Sequence, residues 1–200
     1  MKCSCEWCDN TDIYNKKLCL CHKHYQQMKR QGKLFKTIYD PNDIICHETY
    51  SEIIIRNKSG EEISRSKIDN EYVDIVSEYK WCLQSQGYVL CRELNMYLHE
   101  FIMGKSPDHR IDHINRDPLD NRKHNLRYAT AQENSRNRSI QKNNKSGYVG
   151  VHLVKSVNKW QATIVVDGES IYLGLYEDIN DAIRVRKEAE EKYFGDFSPK

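Results

Sequence analysis

RIDHINRDPLDNRKHNLRYATAQENSRNRSI, residues 110–140, holds the densest set of chemically capable side chains in the protein. After a short apolar run an acid and a histidine stand side by side as Asp112-His113. Asn125 follows after eleven intervening residues and Asn134 after eight more. Hard divalent cations such as Mg2+ or Mn2+ take oxygen ligands and keep several waters, so Asp112 and the amide oxygen of Asn134 can hold such an ion and leave room for a phosphate. His113 has the side chain suited to taking a proton from water near neutral pH. The loop after it is rich in turn formers, Asp117-Pro118 and Asp120-Asn121. Residues 126–129 can form a second short strand, and Thr130-Ala131-Gln132-Glu133 is a capping box that opens a helix. The expected unit is therefore strand, loop, strand, helix, with Asn134 in the first helical turn, able to point back toward His113.

The order Asp-His, Asn, Asn at these spacings, and DHINRDPLDNRKHNLR in particular, resembles the HNH nucleases of the phage and intron-encoded homing type. The last member is an asparagine where many relatives of the wider family carry histidine, which favours an oxygen-liganded ion over a softer metal. The resemblance implies a ββα-metal core in which Asp112 and Asn134 bind the ion and His113 activates water. It implies that Asn125 holds the loop and orients the imidazole. Asp117, Asp120, Asn121 and Asn137 compete for ligand positions, but turn chemistry accounts for the first three and solvent exposure for the last. Arg122, Lys123, Arg127, Arg136 and Arg138 are the expected contacts to DNA phosphates. The activity implied is metal-dependent hydrolysis of DNA, with a DNA-binding regulator carrying an inactive HNH unit as the alternative.

Composition favours several small modules over one large domain. Only 38% of the 200 residues are hydrophobic and 30% are charged, too little apolar material for one deep core. The net charge of +2 says little about partners, but its distribution is informative. Residues 1–36 hold eight Lys and Arg against three Asp and Glu, residues 40–100 six against twelve, and residues 105–145 ten against five. Positive charge thus gathers at the N-terminus and around the nuclease motif, where double-stranded DNA has to be met. No apolar run approaches the length of a membrane span, and the lysine- and cysteine-rich start is not a signal peptide. The expected compartment is a reducing cytoplasm, where eight cysteines are thiols or metal ligands before they are disulfides.

Five of those cysteines lie in CSCEWCDNTDIYNKKLCLCHKHYQQMKRQGK, residues 3–33. Cys3-x4-Cys8, then twelve residues, then Cys21-x2-His24 supplies the two close pairs that structural zinc takes in tetrahedral array. Cys5 makes a tighter pair with Cys8, and Cys19 or His22 can replace a partner on the other side, so the set is not unique. The basic run 23–36 reads as a helix carrying Tyr25, Met28 and Leu34. Leu20-Cys21-His22-Lys23-His24-Tyr25 resembles the Leu-Cys-x-x-His-Tyr signature of small zinc modules that precede some phage HNH proteins.

Residues 37–105 read as a β-rich scaffold. Residues 53–56 form a β-branched run, Ser59-Gly60 a turn and residues 87–91 a strand. Tyr72, Ile75, Val76 and Tyr79 fall at helical spacing with Asp69 as N-cap. IDNEYVDIVSEYKWCLQSQGYVLCRELNMYLHEFIMG resembles the segment that leads into the nuclease strands in the same phage family, with Trp81 and Tyr88 as core aromatics. His99 is read as structural, and Cys46, Cys82 and Cys91 lie too far apart in sequence to be given a metal.

Residues 141–146, QKNNKS, read as a linker. Beyond it, residues 147–154, 159–166 and 170–176 alternate as three antiparallel strands, with a hairpin signal at Asp167-Gly168, and residues 178–194 turn helical through Ala182, Val185, Ala189 and Tyr193. Gly147-Tyr148-Val149-Gly150-Val151, Lys159-Trp160, Leu173-Gly174 and this alanine-bearing helix resemble the Apetala, or ethylene-response-factor, DNA-binding domain found after HNH units in phage endonucleases. The resemblance implies a sheet that enters the major groove, with His152, Lys155, Lys159, Trp160, Gln161 and Thr163 facing DNA. These strands lack arginine, unlike those of the plant members. The expected class is α+β and multi-module: a zinc-binding unit at 1–36, a scaffold at 37–105, the nuclease core at 106–140, a linker at 141–146 and the sheet-and-helix domain at 147–200. One nuclease metal site per protein favours a nick made by a monomer on DNA.

Overall fold

The computed structural model describes residues 2–136 and 144–198, which form two compact units: Met1–Lys105 with Asp117–Leu126, and Ser106–Arg116 with Arg127–Lys200. In the first unit, β1 (Ile13–Asn15) and β2 (Leu20–Cys21) pair as a hairpin that runs into α1 (His22–Gln31). A small core forms there: Leu20, Cys3, Cys5 and Cys21 are buried, and Trp7, Ile13, Tyr25, Met28 and Leu34 close around them. Gly32 ends the helix in the left-handed conformation (φ 69°), its amide donating to the Met28 carbonyl at 2.9 Å.

The scaffold follows as two three-stranded antiparallel sheets. β3 (Ile44–Cys46), β4 (Ser51–Arg56) and β5 (Glu62–Ile68) pair in that order, and the β-branched run of Ile53, Ile54 and Ile55 is buried along the central strand. After α2 (Val73–Ser77), β6 (Trp81–Leu83), β7 (Val89–Cys91) and β8 (Met96–Tyr97) form the second sheet, followed by α3 (Leu98–Met103). Trp81 is fully packed and its indole N–H donates to the Val76 carbonyl at 2.8 Å, the partner a buried indole requires. His99 is buried, stacked on Tyr97 and edge-on to Tyr88.

The helix expected from Asp69 is shorter than its pattern. Residues 70–72 form a 3-10 turn before α2, and Ile75 is exposed. Asp69 does not cap this helix with its side chain; Oδ2 accepts the Lys123 amide at 2.7 Å instead. That bond anchors the nuclease loop, which also docks on β5 through Lys67 N–H to the Leu119 carbonyl (2.8 Å) and Asn121 N–H to the Lys67 carbonyl (2.9 Å).

In the second unit, β9 (Arg110–His113) pairs with β10 (Leu126–Ala129), and α4 (Ala131–Arg136) packs on β9. The capping box forms as read: Thr130 N–H and Oγ1 both donate to Glu133 Oε2 at 2.8 Å, and Glu133 N–H returns to Thr130 Oγ1 at 3.2 Å. The same unit contains β11 (Val151–Val154), β12 (Lys159–Val166) and β13 (Glu169–Tyr176), an antiparallel sheet in sequence order, covered on one face by α5 (Ile179–Phe194). Asp167 and Gly168 both take positive φ, the turn that an Asp-Gly hairpin signals. The strand expected from residue 147 starts only at Val151. Gly150 sits at φ 79°, and a Cβ there would lie 2.3 Å from the Thr163 carbonyl and 2.5 Å from Arg186 Nε. Only glycine permits that approach.

Compactness follows different lines from the expected modules. The N-terminal module and the scaffold share one unit. The nuclease segment is divided, residues 117–126 going with the scaffold and the rest with the C-terminal sheet and helix.

Candidate active site and metal centre

Asp112 and His113 end β9, and both are buried, at 6% exposure each. The strand places them in succession, so their side chains leave on opposite faces. Asp112 is held by Arg127 of β10, whose Nε and Nη2 both donate to Oδ2, at 2.9 and 2.8 Å. The guanidinium in turn lies over the Phe197 ring, 4.2 Å from its centroid. Asn134 stands in α4, half-buried, with its amide bonded to the Thr130 carbonyl at 3.0 Å. The second unit thus carries an acid and an imidazole in succession on β9 and a side-chain amide on α4, the helix packed on that strand. Carboxylate and amide oxygens are the donors that a hard divalent ion takes.

Asn125 belongs to the first unit and is buried, its Nδ2 donating to the Asp120 carbonyl at 2.8 Å. It therefore closes the end of the loop. The three loop residues that rivalled the metal ligands are occupied in the same task. Asp117 Oδ1 accepts the Leu119 amide, Asn121 donates to Ser66 Oγ and the Pro118 carbonyl, and both carboxylate oxygens of Asp120 take Arg122, each at 2.7 Å.

A second cluster lies in the N-terminal module. Cys3, Cys8, Cys21 and His24 bring one ligand atom each to within 4.8 Å of one another, a group able to hold a metal ion. The His24 Nδ1 is 3.5 Å from Cys3 Sγ and 3.4 Å from Cys21 Sγ, and the sulfurs of Cys8 and Cys21 are 4.0 Å apart. The Cys21 amide points at Cys3 Sγ. Burial pushes the Cys3 thiol up, but this amide, that of Cys5 and the neighbouring thiols outweigh it and leave it below the ordinary value. Cys5, Cys19 and His22 lie outside this group: Cys19 faces the Lys16 carbonyl, and His22 packs edge-on against Tyr14. All eight cysteines are free of disulfides.

Residues 99–136 match the HNH endonuclease family, an interval that contains every member of the Asp-His, Asn, Asn set. An uncharacterised HNH endonuclease of Acanthamoeba polyphaga mimivirus is 37% identical over 131 residues, 62% of this chain and 67% of that protein. The chain belongs to the HNH endonuclease family. Protein 3.8 of Escherichia phage T7 is 39% identical over 59 residues, which is 30% of this chain and 49% of the phage protein. No solved structure matches.

Within this HNH endonuclease, several residues expected on DNA have other partners. Arg127 is bound to Asp112, and Arg122 grips Asp120 and lies over the Tyr50 ring at 5.6 Å, so both guanidinium groups are engaged within the protein. Lys123 is exposed. Arg136 ends α4, its side chain outside the described residues, as are Arg138 and Asn137. In the C-terminal sheet, Lys159, Gln161 and Thr163 alternate away from buried Ala162 and Ile164, and His152 pairs with Gln161, so these four lie on the face opposite α5. Lys155 is exposed in the turn 155–158. Trp160 takes the other face and, partly buried, packs against the core of Val151, Ala162 and Ala182. Register adds exposed Tyr172, opposite Thr163, and Leu175, opposite Gln161, to that outer face. Strand alternation alone would have found only one of them, because the two are three residues apart and the register shifts between Ala162 and Thr163. Nothing in the sequence pointed to Asp112 with Arg127 and Phe197, three positions joined only by the fold.

Proposed function

We propose that this HNH endonuclease is a metal-dependent nickase of the homing type that hydrolyses phosphodiester bonds in double-stranded DNA. The observation that carries the reading is the buried Asp112-His113 pair at the end of β9 beside the capped helix bearing Asn134, inside the segment that matches the family. Asp112 and Asn134 are assigned as ligands of Mg2+ or Mn2+, which when bound neutralises charge on the phosphoryl oxygens and on the departing 3' oxygen. His113 accepts the proton of a water as its oxygen bonds to phosphorus. The P–O3' bond breaks, leaving a 5' phosphate and, once the 3' oxygen is protonated, a 3' hydroxyl. Asn125 closes the end of the loop. Arg127 holds Asp112 in place, a supporting contact of the kind whose loss commonly weakens a metal site 10- to 100-fold.

Affinity for DNA is assigned to the two ends of the protein. Tetrahedral zinc, with Zn–S near 2.3 Å and Zn–N near 2.0 Å, sets sulfur–sulfur edges of about 3.8 Å and sulfur–nitrogen edges of about 3.5 Å. The observed 4.0 Å and 3.4–3.5 Å support Zn2+ on Cys3, Cys8, Cys21 and His24. The three-stranded antiparallel sheet and its helix support the Apetala-like assignment. In it His152, Lys159, Gln161 and Thr163 face the major groove, with Lys155 at the hairpin, and Lys123, Arg136 and Arg138 meet phosphates. Relatives in two viruses support a phage- or virus-encoded origin. Among the described residues no helix is long and apolar enough to cross a membrane.

The test is conversion of supercoiled plasmid to open circle with and without Mg2+, by wild type and His113→Ala. Nicking that needs the metal and the imidazole is expected. No nicking by wild type would leave a DNA-binding protein with an inactive HNH unit, and undiminished nicking by His113→Ala would remove the histidine from the reaction.

A further inference from the structure

His24 is completely buried and presents its two ring nitrogens to different surroundings. Nδ1 faces the sulfurs of Cys3 and Cys21. Nε2 has no hydrogen-bond partner within reach, and the group opposite it is Oδ1 of Asp40, at 3.7 Å. Asp40 is itself 3% exposed and firmly held: Oδ2 accepts both the amide and the hydroxyl of Thr37 at 2.9 Å, and Oδ1 receives the Lys23 ammonium. A buried carboxylate with this many donors is costly to build by chance, and it stands outside the segment 1–36 that carries the metal-ligand spacing.

A neutral imidazole ligates a metal through one nitrogen only if its proton sits on the other, and the acceptor opposite that other nitrogen decides the matter. We infer that Asp40 is a positioning residue for the metal ligand His24: it draws the ring proton to Nε2 and so frees the Nδ1 lone pair for the ion. The inference rests on the metal-binding reading of the Cys3, Cys8, Cys21 and His24 cluster. The 3.7 Å separation exceeds a full hydrogen bond by about 0.7 Å, an adjustment within the freedom of an imidazole torsion. Asp40 also ties the metal centre to the scaffold. Its neighbour Ile38 donates to the Asn57 carbonyl, and Asn42 bonds to the Ile54 and Trp81 carbonyls and to the Trp81 amide. Loading the N-terminal cluster therefore braces the segment that leads into β3 and bonds to β6.

The experiment is zinc affinity of the full chain, measured by competition with a chromophoric chelator, for wild type, Asp40→Asn, Asn42→Ala and Cys21→Ser. Histidine 15N–1H correlation spectra of the zinc-loaded wild type and Asp40→Asn accompany it. Asp40→Asn is expected to weaken zinc about 10- to 100-fold while Co2+ still gives a tetrahedral thiolate spectrum. Asn42→Ala, which loosens the same segment but keeps the carboxylate, is expected to leave zinc affinity near wild type. The Nε2–H signal of His24 is expected in wild type and is expected to shift or broaden in Asp40→Asn. Wild-type affinity in Asp40→Asn, or an equal loss in Asn42→Ala, would overturn the role of Asp40 while leaving the cluster as a metal site. Failure of the wild type to take up zinc, or unchanged uptake by Cys21→Ser, would overturn the cluster reading and the inference with it.

Discussion

Arg127 separates two accounts of the nuclease site. As a phosphate contact, its loss would weaken DNA binding, lower the salt slope by about one and leave folding untouched. As the partner of Asp112, its loss acts on the protein. The two side chains are 14% and 7% exposed, and the guanidinium makes two charge-assisted bonds to one oxygen and stacks on Phe197. Removing one member of a buried pair leaves the other charge unpaired, which costs about 3–5 kcal/mol. The residual exposure of Arg127 puts the expected loss for Arg127→Ala at the lower end, about 3 kcal/mol, against a typical domain stability of about 5–15 kcal/mol. The protein should stay folded but unfold at clearly lower urea, and single-turnover nicking should fall about 10- to 100-fold as the Asp112 carboxylate loses its fixed position. Arg127→Lys keeps the charge but not the fork, and should fall between. The assay is urea unfolding by circular dichroism together with DNA affinity at several salt concentrations. A midpoint within about 0.5 kcal/mol of wild type, with a salt slope lowered by about one, would refute the structural role.

In the C-terminal domain, Arg186 and Glu190 are 5% and 3% exposed and paired at 3.0 Å, and Tyr148 donates to Glu190 at 2.7 Å. Glu190→Gln should destabilise this unit by about 3–5 kcal/mol, and Tyr148→Phe by about 1.5–3 kcal/mol, measured by chemical denaturation. Burial pushes the Asp120 carboxyl up, but the hydrogen bonds and charge of Arg122 outweigh it and hold the group below the ordinary range. A carboxyl whose folded value is depressed stabilises fully above its unfolded value, near 3.9, and that stability is lost as pH falls through the lower folded value. The stability difference between wild type and Asp120→Asn should therefore be constant from about pH 5 to 7 and shrink below about pH 4. A difference that stays constant down to pH 2 would exclude the ion pair as its source.

Local chemistry was legible where a short stretch determines it. The Thr130-Glu133 capping box, the Asp167-Gly168 hairpin and the Cys3, Cys8, Cys21 and His24 set formed as read, because caps, turns and paired ligands are contiguous or nearly so. What depends on partners distant in sequence was not legible. Asp69 reads as a helix cap and serves the Lys123 amide across 54 residues. Arg127 reads as a solvent-facing cation and is claimed by Asp112, 15 residues away, and by Phe197. Trp160 sits beside lysine as an exposed aromatic would, yet strand alternation turns it toward the core. Asp40 follows the last metal ligand by too many residues for any spacing rule to join them, and only the fold brings it to His24.

The central claim is that His113 is the base of a metal-dependent DNA endonuclease. The most direct measurement is the single-turnover rate of cutting an end-labelled host-DNA duplex at saturating protein in Mg2+, for wild type and His113→Ala, with the new ends identified. The expected result is a rate reduced about 100-fold or more by the substitution at unchanged DNA affinity, with 5' phosphate and 3' hydroxyl ends. Equal rates for the two proteins, or 3' phosphate ends, would contradict the account.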